Sequence, residues 1–319
     1  MVEGITVIPT YGNQSLREAF GEALIELGHL YPDLRVLDAG TKNSTMSEKF
    51  ERAFPERFYT PGINELGMIG LATGLAMAGF KVVACDMSVF LEHAYAHLFT
   101  AARQGKGLHL IVAASHTGVT VGPDGSSAHD VRDLARMRLI PNFTIITPWD
   151  GRQVRSALKT MLEVPGYYYL RLNRPKLPIF LPDPAPFELG KASILKTGSQ
   201  ITIVASGDRV FPALMAAEIL GEGVAEVIGI STLEPLDEET ILESAGRTRK
   251  VVTVEDHIYV GGLFESVAGV LAQRLPTPMR RLSIPREMTT SGEPEELERI
   301  YQIDVQSIVK VCREFIELI

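Results

Sequence analysis

With 319 residues, 45% of them hydrophobic and 22% charged, the chain has the composition of a soluble globular protein long enough for two domains, each with its own core. A formal net charge of −8, with no stripe of lysine and arginine to offset the acids, argues against nucleic acid as a partner. No apolar run reaches the roughly 18 residues that a membrane span needs. The start, MVEGITVIPT, lacks the charged opening and small-residue cleavage site of a secretion signal, so a cytoplasmic location is expected. The two cysteines, Cys85 and Cys312, fall in apolar strand-like and helix-like runs and read as buried free thiols of a reducing compartment.

In chain order, Leu16, Phe20, Ala23, Leu24 and Leu27 recur at helical spacing within residues 14–30, and a short strand is expected at 35–39. The stretch 61–80, PGINELGMIGLATGLAMAGF, is apolar or small from Leu66 onward. That is the pattern of a helix buried on most of its surface, with glycines at 67, 70, 74 and 79 that let other backbones approach closely. Asn64 is the expected N-cap, which puts Glu65 in the first turn, where the helix dipole favours an acid and a carboxyl can share a proton with a bound group. An acidic first-turn residue with no chemical duty is the plainer alternative.

Strands at 81–87, 108–115, 143–148 and 167–172 alternate with helices near 90–104, 129–139 and 151–163. The alternation predicts an α/β fold, a doubly wound parallel sheet whose ligands sit at the carboxyl ends of strands, here the loops after Asp86, Ser115 and Leu172. Residues 174–198 hold five prolines and are expected to be a linker wrapped over the surface. A smaller α/β domain follows, with strands at 201–207, 225–230 and 250–256 and a closing helix at 304–318. The expected domains are therefore 1–180 and 181–319.

Six segments in order, GINELGMIGLATGLAMAGF, FLEHAYAHL, SHTGVTVGPDG, LARMRLIPNFTIITPWD, YLRLNRPKLP and VEDHIYVGGL, resemble the second half of transketolase, its pyrimidine-binding domain plus its C-terminal domain, over nearly the whole chain. The resemblance implies chemistry on thiamine diphosphate, with Glu65 in the place of the glutamate that shares a proton with a ring nitrogen of the cofactor's aminopyrimidine. It implies that Phe90, ahead of Tyr95, stacks on that pyrimidine; filling the core is the alternative for either ring. His116 and Asp124 match residues that contact the hydroxyls of the sugar donor. Arg171, with Arg174 as second candidate, matches an arginine that holds a sugar phosphate, for which paired charge-assisted hydrogen bonds suit a guanidinium; a structural salt bridge is the alternative. His257 lies in a segment matched to a strand-to-helix junction of the C-terminal domain and is read as structural.

The family binds the diphosphate through Mg2+ on a Gly-Asp-Gly motif followed by an asparagine, and no such motif occurs here; SGDRVF at 206–211 is the nearest, with arginine in place of the second glycine. The resemblance therefore points to the smaller subunit of a split transketolase of the pentose phosphate pathway. Its partner would carry the diphosphate domain and metal ligands, in a two-fold heterotetramer that transfers a two-carbon ketol unit from a ketose phosphate to an aldose. The beta subunit of a 2-oxo acid dehydrogenase, a deoxyxylulose-phosphate-synthase-like enzyme and a non-catalytic scaffold subunit stay open as alternatives. One departure stands out: where transketolases read Gly-Glu-Asp-Gly-Pro-Thr-His-Gln, this chain reads GPDGSSAHD, so Ala128 takes the histidine's place and His129 follows it. His129 is expected to reach the substrate hydroxyls if the loop absorbs the extra residue.

Overall fold

The computed structural model describes residues 8–104 and 107–318, so the absence of a secretion signal falls in part, at residues 1–7, outside the described residues. The first half runs β1 (Asn13–Ser15), α1 (Leu16–Leu30), β2 (Leu34–Asp38), α2 (Lys42–Thr45), α3 (Glu48–Ala53), β3 (Phe58–Tyr59), α4 (Glu65–Met77), β4 (Lys81–Met87), α5 (Ser88–Leu91), α6 (Tyr95–Ala102), β5 (Leu110–Ser115), α7 (Asp133–Arg138), β6 (Phe143–Ile146), α8 (Gly151–Glu163) and β7 (Tyr167–Leu172). After β8 (Lys176–Pro178) come β9 (Ala192–Lys196), β10 (Gly198–Ser206), α9 (Val210–Leu220), β11 (Gly223–Ile230), β12 (Thr232–Glu234), α10 (Glu238–Thr248), β13 (Val251–Ile258), α11 (Leu263–Arg274), β14 (Met279–Ile284), α12 (Pro294–Ile300) and α13 (Val305–Glu317).

The strands form a sheet in the order β12-β6-β7-β5-β4-β2-β3 and a second in the order β14-β13-β10-β11-β9, while β1 and β8 pair by themselves. Within the first sheet β2 to β7 run parallel, and β12 joins the β6 edge antiparallel from the second half of the chain. All six residues of β5, LIVAAS, are buried, as a strand covered by helices on both faces requires. The helices start where their caps allow: Ser15 and Glu18 form a capping box for α1, Asn64 accepts the Gly67 amide at 2.8 Å for α4, and Asp150 accepts that of Gln153 at 2.9 Å for α8. On α8 the buried residues Val154, Ala157, Leu158, Met161 and Leu162 return every three or four positions, which seats one face of the helix on the sheet. One apolar cluster runs from Met68 and Ile69 through Phe143 and Ile145 to Val204, Ile228 and Leu263, so the two sheets share a continuous core.

Several expectations change. The helix expected at 90–104 is two pieces, α5 and α6, with a turn between them, and the helix expected from 129 begins only at Asp133. The proline-rich segment is not simply a linker, because β8 pairs with β1 and β9 with β11. Strand β14, with two adjacent arginines, had no strand-like apolar pattern. The largest change concerns α4, which is not buried on most of its surface. Ile63 just before it is 89% exposed and Met77 at its end 61%, with Leu66 and Leu71 also exposed. A Cβ added at Gly70 or Gly74 would meet nothing within 4 Å, so among the described residues no other segment makes the close approach those glycines permit. Cys85 and Cys312 are buried and free, as expected.

Candidate functional site

Glu65 stands in the first turn of α4, 9% exposed. Among the described residues its carboxylate receives no hydrogen bond, and the basic side chain within 4 Å of it is the His93 imidazole, whose Nδ1 lies 3.6 Å from Oε2. Phe90, on α5 after the end of β4, leaves 37% of its surface open, whereas Tyr95 is half-buried and packs against the core. Of the two rings, Phe90 is the more open to a ligand. Beneath them lie two acids at the ends of neighbouring strands. Asp38 is saturated by the amides of Gly40 and Thr41 and the hydroxyls of Thr45 and Ser47. Asp86 accepts from Thr41 Oγ1 at 2.8 Å and the Met87 amide at 2.7 Å, while its buried Oδ2 has no partner among the described residues. Burial, reinforced by the charges of Asp38 and Glu65, pushes the Asp86 carboxyl up to about 7, against the hydrogen bonds that lower it.

A second group gathers one strand over. His116 follows β5 with φ at +58°, a left-handed conformation that costs a non-glycine residue energy and places its ring back on Ser115, with Nδ1 3.0 Å from Oγ. Burial, then the charges of Arg17 and Arg174, lowers its pKa to about 4, so the imidazole is neutral at physiological pH. Arg17, in the first turn of α1, donates to Ser44 O at 2.9 Å and keeps a buried Nε without a partner. Arg174 donates to Val121 O at 2.7 Å and to Asp124 Oδ1 at 2.9 Å. Arg17, Arg174 and Lys176 face two carboxylates, Asp124 and Glu18, which leaves positive charge in excess, a setting that suits an anion. Of this group, His116, Asp124 and Arg174 were legible in the sequence. Arg17 and His93 carry no signal of their own in the sequence, and the one signal for Asp86 is an acid inside the apolar run VVACDM.

Two expected site residues serve other ends. Arg171 is 3% exposed, its Nε 2.8 Å from Asp133 Oδ2 and its Nη2 2.8 Å from Asp256 O, so no face is left for a phosphate. It is a buried structural pair, and Arg174 is the arginine that stays half-open. His129 is buried with both ring nitrogens engaged, Nδ1 with Thr289 Oγ1 at 2.9 Å and Nε2 with Gly122 O at 2.8 Å. The loop does not swing it toward the substrate group, because the next residue, Asp130, is fixed by Ser88 and Arg136. His129 instead lines a cavity of about 400 Å³ with Arg132 and Arg286. His257 is fully buried beneath α7 and α11, its Nδ1 2.6 Å from Ile258 O, in keeping with a structural role.

The sequence matches the family "Transketolase, pyrimidine binding domain" over residues 13–179 and "Transketolase, C-terminal domain" over 190–308. It is 39% identical over 306 residues to a putative transketolase C-terminal section of Methanocaldococcus jannaschii, covering 94% of this chain and 96% of that protein. To one of the subunits of the apulose-4-phosphate transketolase of Phocaeicola vulgatus it is 31% identical, covering 94% of this chain and 97% of that subunit. Human transketolase is 33% identical over 94% of this chain but 49% of its own length, so the chain spans about half of such full-length relatives. Among solved structures, a split-gene transketolase described as an inactive beta4 tetramer superposes with a TM-score of 0.86 at 34% identity, covering 96% of this chain and 99% of that one. The chain belongs to the transketolase family, as its pyrimidine-binding and C-terminal domains.

Proposed function

We propose that the chain is the C-terminal subunit of a split transketolase, catalytic only with a partner subunit that carries the Mg2+-diphosphate domain. The observation that carries this reading is the gathering of two groups near the ends of the adjacent strands β4 and β5: a carboxylate with no hydrogen bond among the described residues, Glu65, with the exposed ring of Phe90 on α5, and a basic pair beside a neutral histidine, Arg17, Arg174 and His116. The first fits an aminopyrimidine, which needs an acid at a ring nitrogen and a flat apolar contact. Thiamine diphosphate, when bound, supplies the electron sink for carbanion chemistry. Glu65 holds a proton at the ring nitrogen, and Phe90 orients the ring. The second group fits a ketose phosphate: Arg17 and Arg174 take the phosphate, His116 and Asp124 the hydroxyls.

The exposed apolar side of α4, with Gly70 and Gly74 open to a close approach, is where the partner subunit or a second copy would pack and close the cofactor site. That the match spans 96% of the Methanocaldococcus jannaschii protein, itself named a transketolase C-terminal section, supports the division into two subunits. Calorimetry and a ketol-transfer assay on the chain, with and without a partner bearing a Gly-Asp-Gly domain, test the reading. Weak cofactor binding and no turnover alone, with both restored on mixing, are expected. Tight magnesium-dependent binding by the chain alone would overturn it.

A further inference from the structure

The loop 116–124, which bears His116 and Asp124, belongs to the first domain, yet the side chain that holds its middle comes from the second. Asp256 on β13 accepts the Val119 amide at 2.9 Å on Oδ1, and on Oδ2 the Thr120 amide at 3.4 Å and hydroxyl at 3.1 Å. Its neighbour on β13 faces elsewhere: Glu255 accepts the first amides of α11, from Leu263 at 2.6 Å and Phe264 at 2.9 Å. The fit to the loop is close. A Cβ at Gly118, where φ is +78°, would come within 1.9 Å of Asp256 Oδ2, so this residue must be glycine for the carboxylate to approach. Asp208 supports the same loop, since its Oδ2 lies 3.3 Å from the Thr120 hydroxyl and 3.2 Å from Asn173 Nδ2, and Arg209 pairs with it at 3.0 Å. Both acids are at most 2% exposed.

From this geometry we infer that Asp256 is a positioning residue for the substrate site, by which the C-terminal domain fixes the loop carrying His116 and Asp124. The carboxylate grips the loop three residues after His116 and four before Asp124, so one anchor sets both. It also holds the strained His116 in place, since a left-handed residue persists only where its surroundings over-determine it. The inference rests on the proposed assignment of the loop to the sugar, and it gives the C-terminal domain a part in substrate binding.

Asp256→Asn in the complex with the partner subunit tests it, since the amide keeps the size of the side chain but cannot accept on both sides. Amide hydrogen exchange across 117–122 should speed up at least tenfold while β5 keeps its protection. The KM for a phosphorylated ketose should rise about tenfold or more with thiamine diphosphate affinity unchanged. Unchanged exchange and KM would overturn the inference, as would a cofactor affinity that falls as KM rises. Should that variant fail to fold, Thr120→Val removes the hydroxyl's contacts to Asp256, Asp208 and Asn173 while Asp256 keeps the Val119 amide, and it is expected to move exchange and KM in the same direction, by about threefold; no movement would overturn the inference. The exchange measurement needs no turnover, so an inactive wild-type complex would defeat the proposed function while this test still stood.

Discussion

Arg171 and Asp133 form a fully buried ion pair, Nε to Oδ2 at 2.8 Å, that joins the end of β7 to the first turn of α7 and, through Arg171 Nη2, to the backbone of Asp256 in the second domain. The pair explains why this arginine is not available to a substrate. Burial works against its charge, but Asp133 and Asp256 more than offset that and raise its pKa.

Arg171→Ala should therefore act on stability. Removing one partner of a buried pair leaves Asp133 uncompensated, which typically costs about 3–5 kcal/mol. Denaturant unfolding of the chain is the measurement; a loss below about 1 kcal/mol would mean that the pair is not coupled to folding.

Glu65→Ala should leave the fold intact, because the carboxylate makes no hydrogen bond among the described residues. In the complex with its partner, turnover should fall about 100-fold or more, the usual range for lost acid-base help. A rate within a few-fold of the wild type would reject the role.

Arg17→Ala and Arg174→Ala should each raise the KM for phosphorylated sugars about 10- to 100-fold, the size of a charge-assisted hydrogen bond of about 1.5–3 kcal/mol, with little effect on unphosphorylated ones. Steady-state kinetics with matched sugar pairs decide it. Equal effects on both classes would make these arginines structural, and would leave another anion, such as a sulfonate, or none as the group recognised.

His116 should titrate near pH 4 by NMR, well under the usual 6.5, and removing the Arg17 charge should move its midpoint up. Between about pH 6.5 and 4 the unfolded chain binds a proton at this position that the folded chain refuses, so the His116 contribution to stability is present above 6.5 and lost as the pH falls toward 4. Comparing the pH dependence of unfolding in the wild type and in His116→Asn reads that contribution directly.

Leu71→Asp or Gly74→Arg should change the stability of the isolated chain by no more than about 0.5 kcal/mol, as expected of open surface. Either should abolish assembly with the partner or with a second copy. Sedimentation distinguishes the two, and a normal assembly would show that the face of α4 is not the interface.

The strands β4, β5 and β7 and the helices α1 and α8 were legible because their signals are local: apolar runs of strand length, buried residues at helical spacing, and caps at Ser15, Asn64 and Asp150. The Glu65 helix was legible in position but not in burial, since an apolar, glycine-rich pattern reads the same whether the second surface belongs to this chain or to another. Arg171 and Arg174 illustrate the same limit at the site. They lie three residues apart with similar surroundings in sequence, and only the approach of Asp133 from α7 and of Asp256 from the second domain separates the buried one from the open one.

By itself, then, the sequence determined the alternation of strands and helices, the family, and the places of Glu65, His116 and Asp124, because each is fixed by chain-local spacing and by motif order. Tertiary structure alone decided that His129 turns to Gly122 and Thr289, that Arg17 joins Arg174, and that Asp256 grips the loop at Val119 and Thr120. All but the His129–Gly122 contact, seven positions apart, join residues far apart in the chain, up to 160 positions for His129 and Thr289, and a contact across such a separation is set by how the sheets pack, which no local pattern encodes.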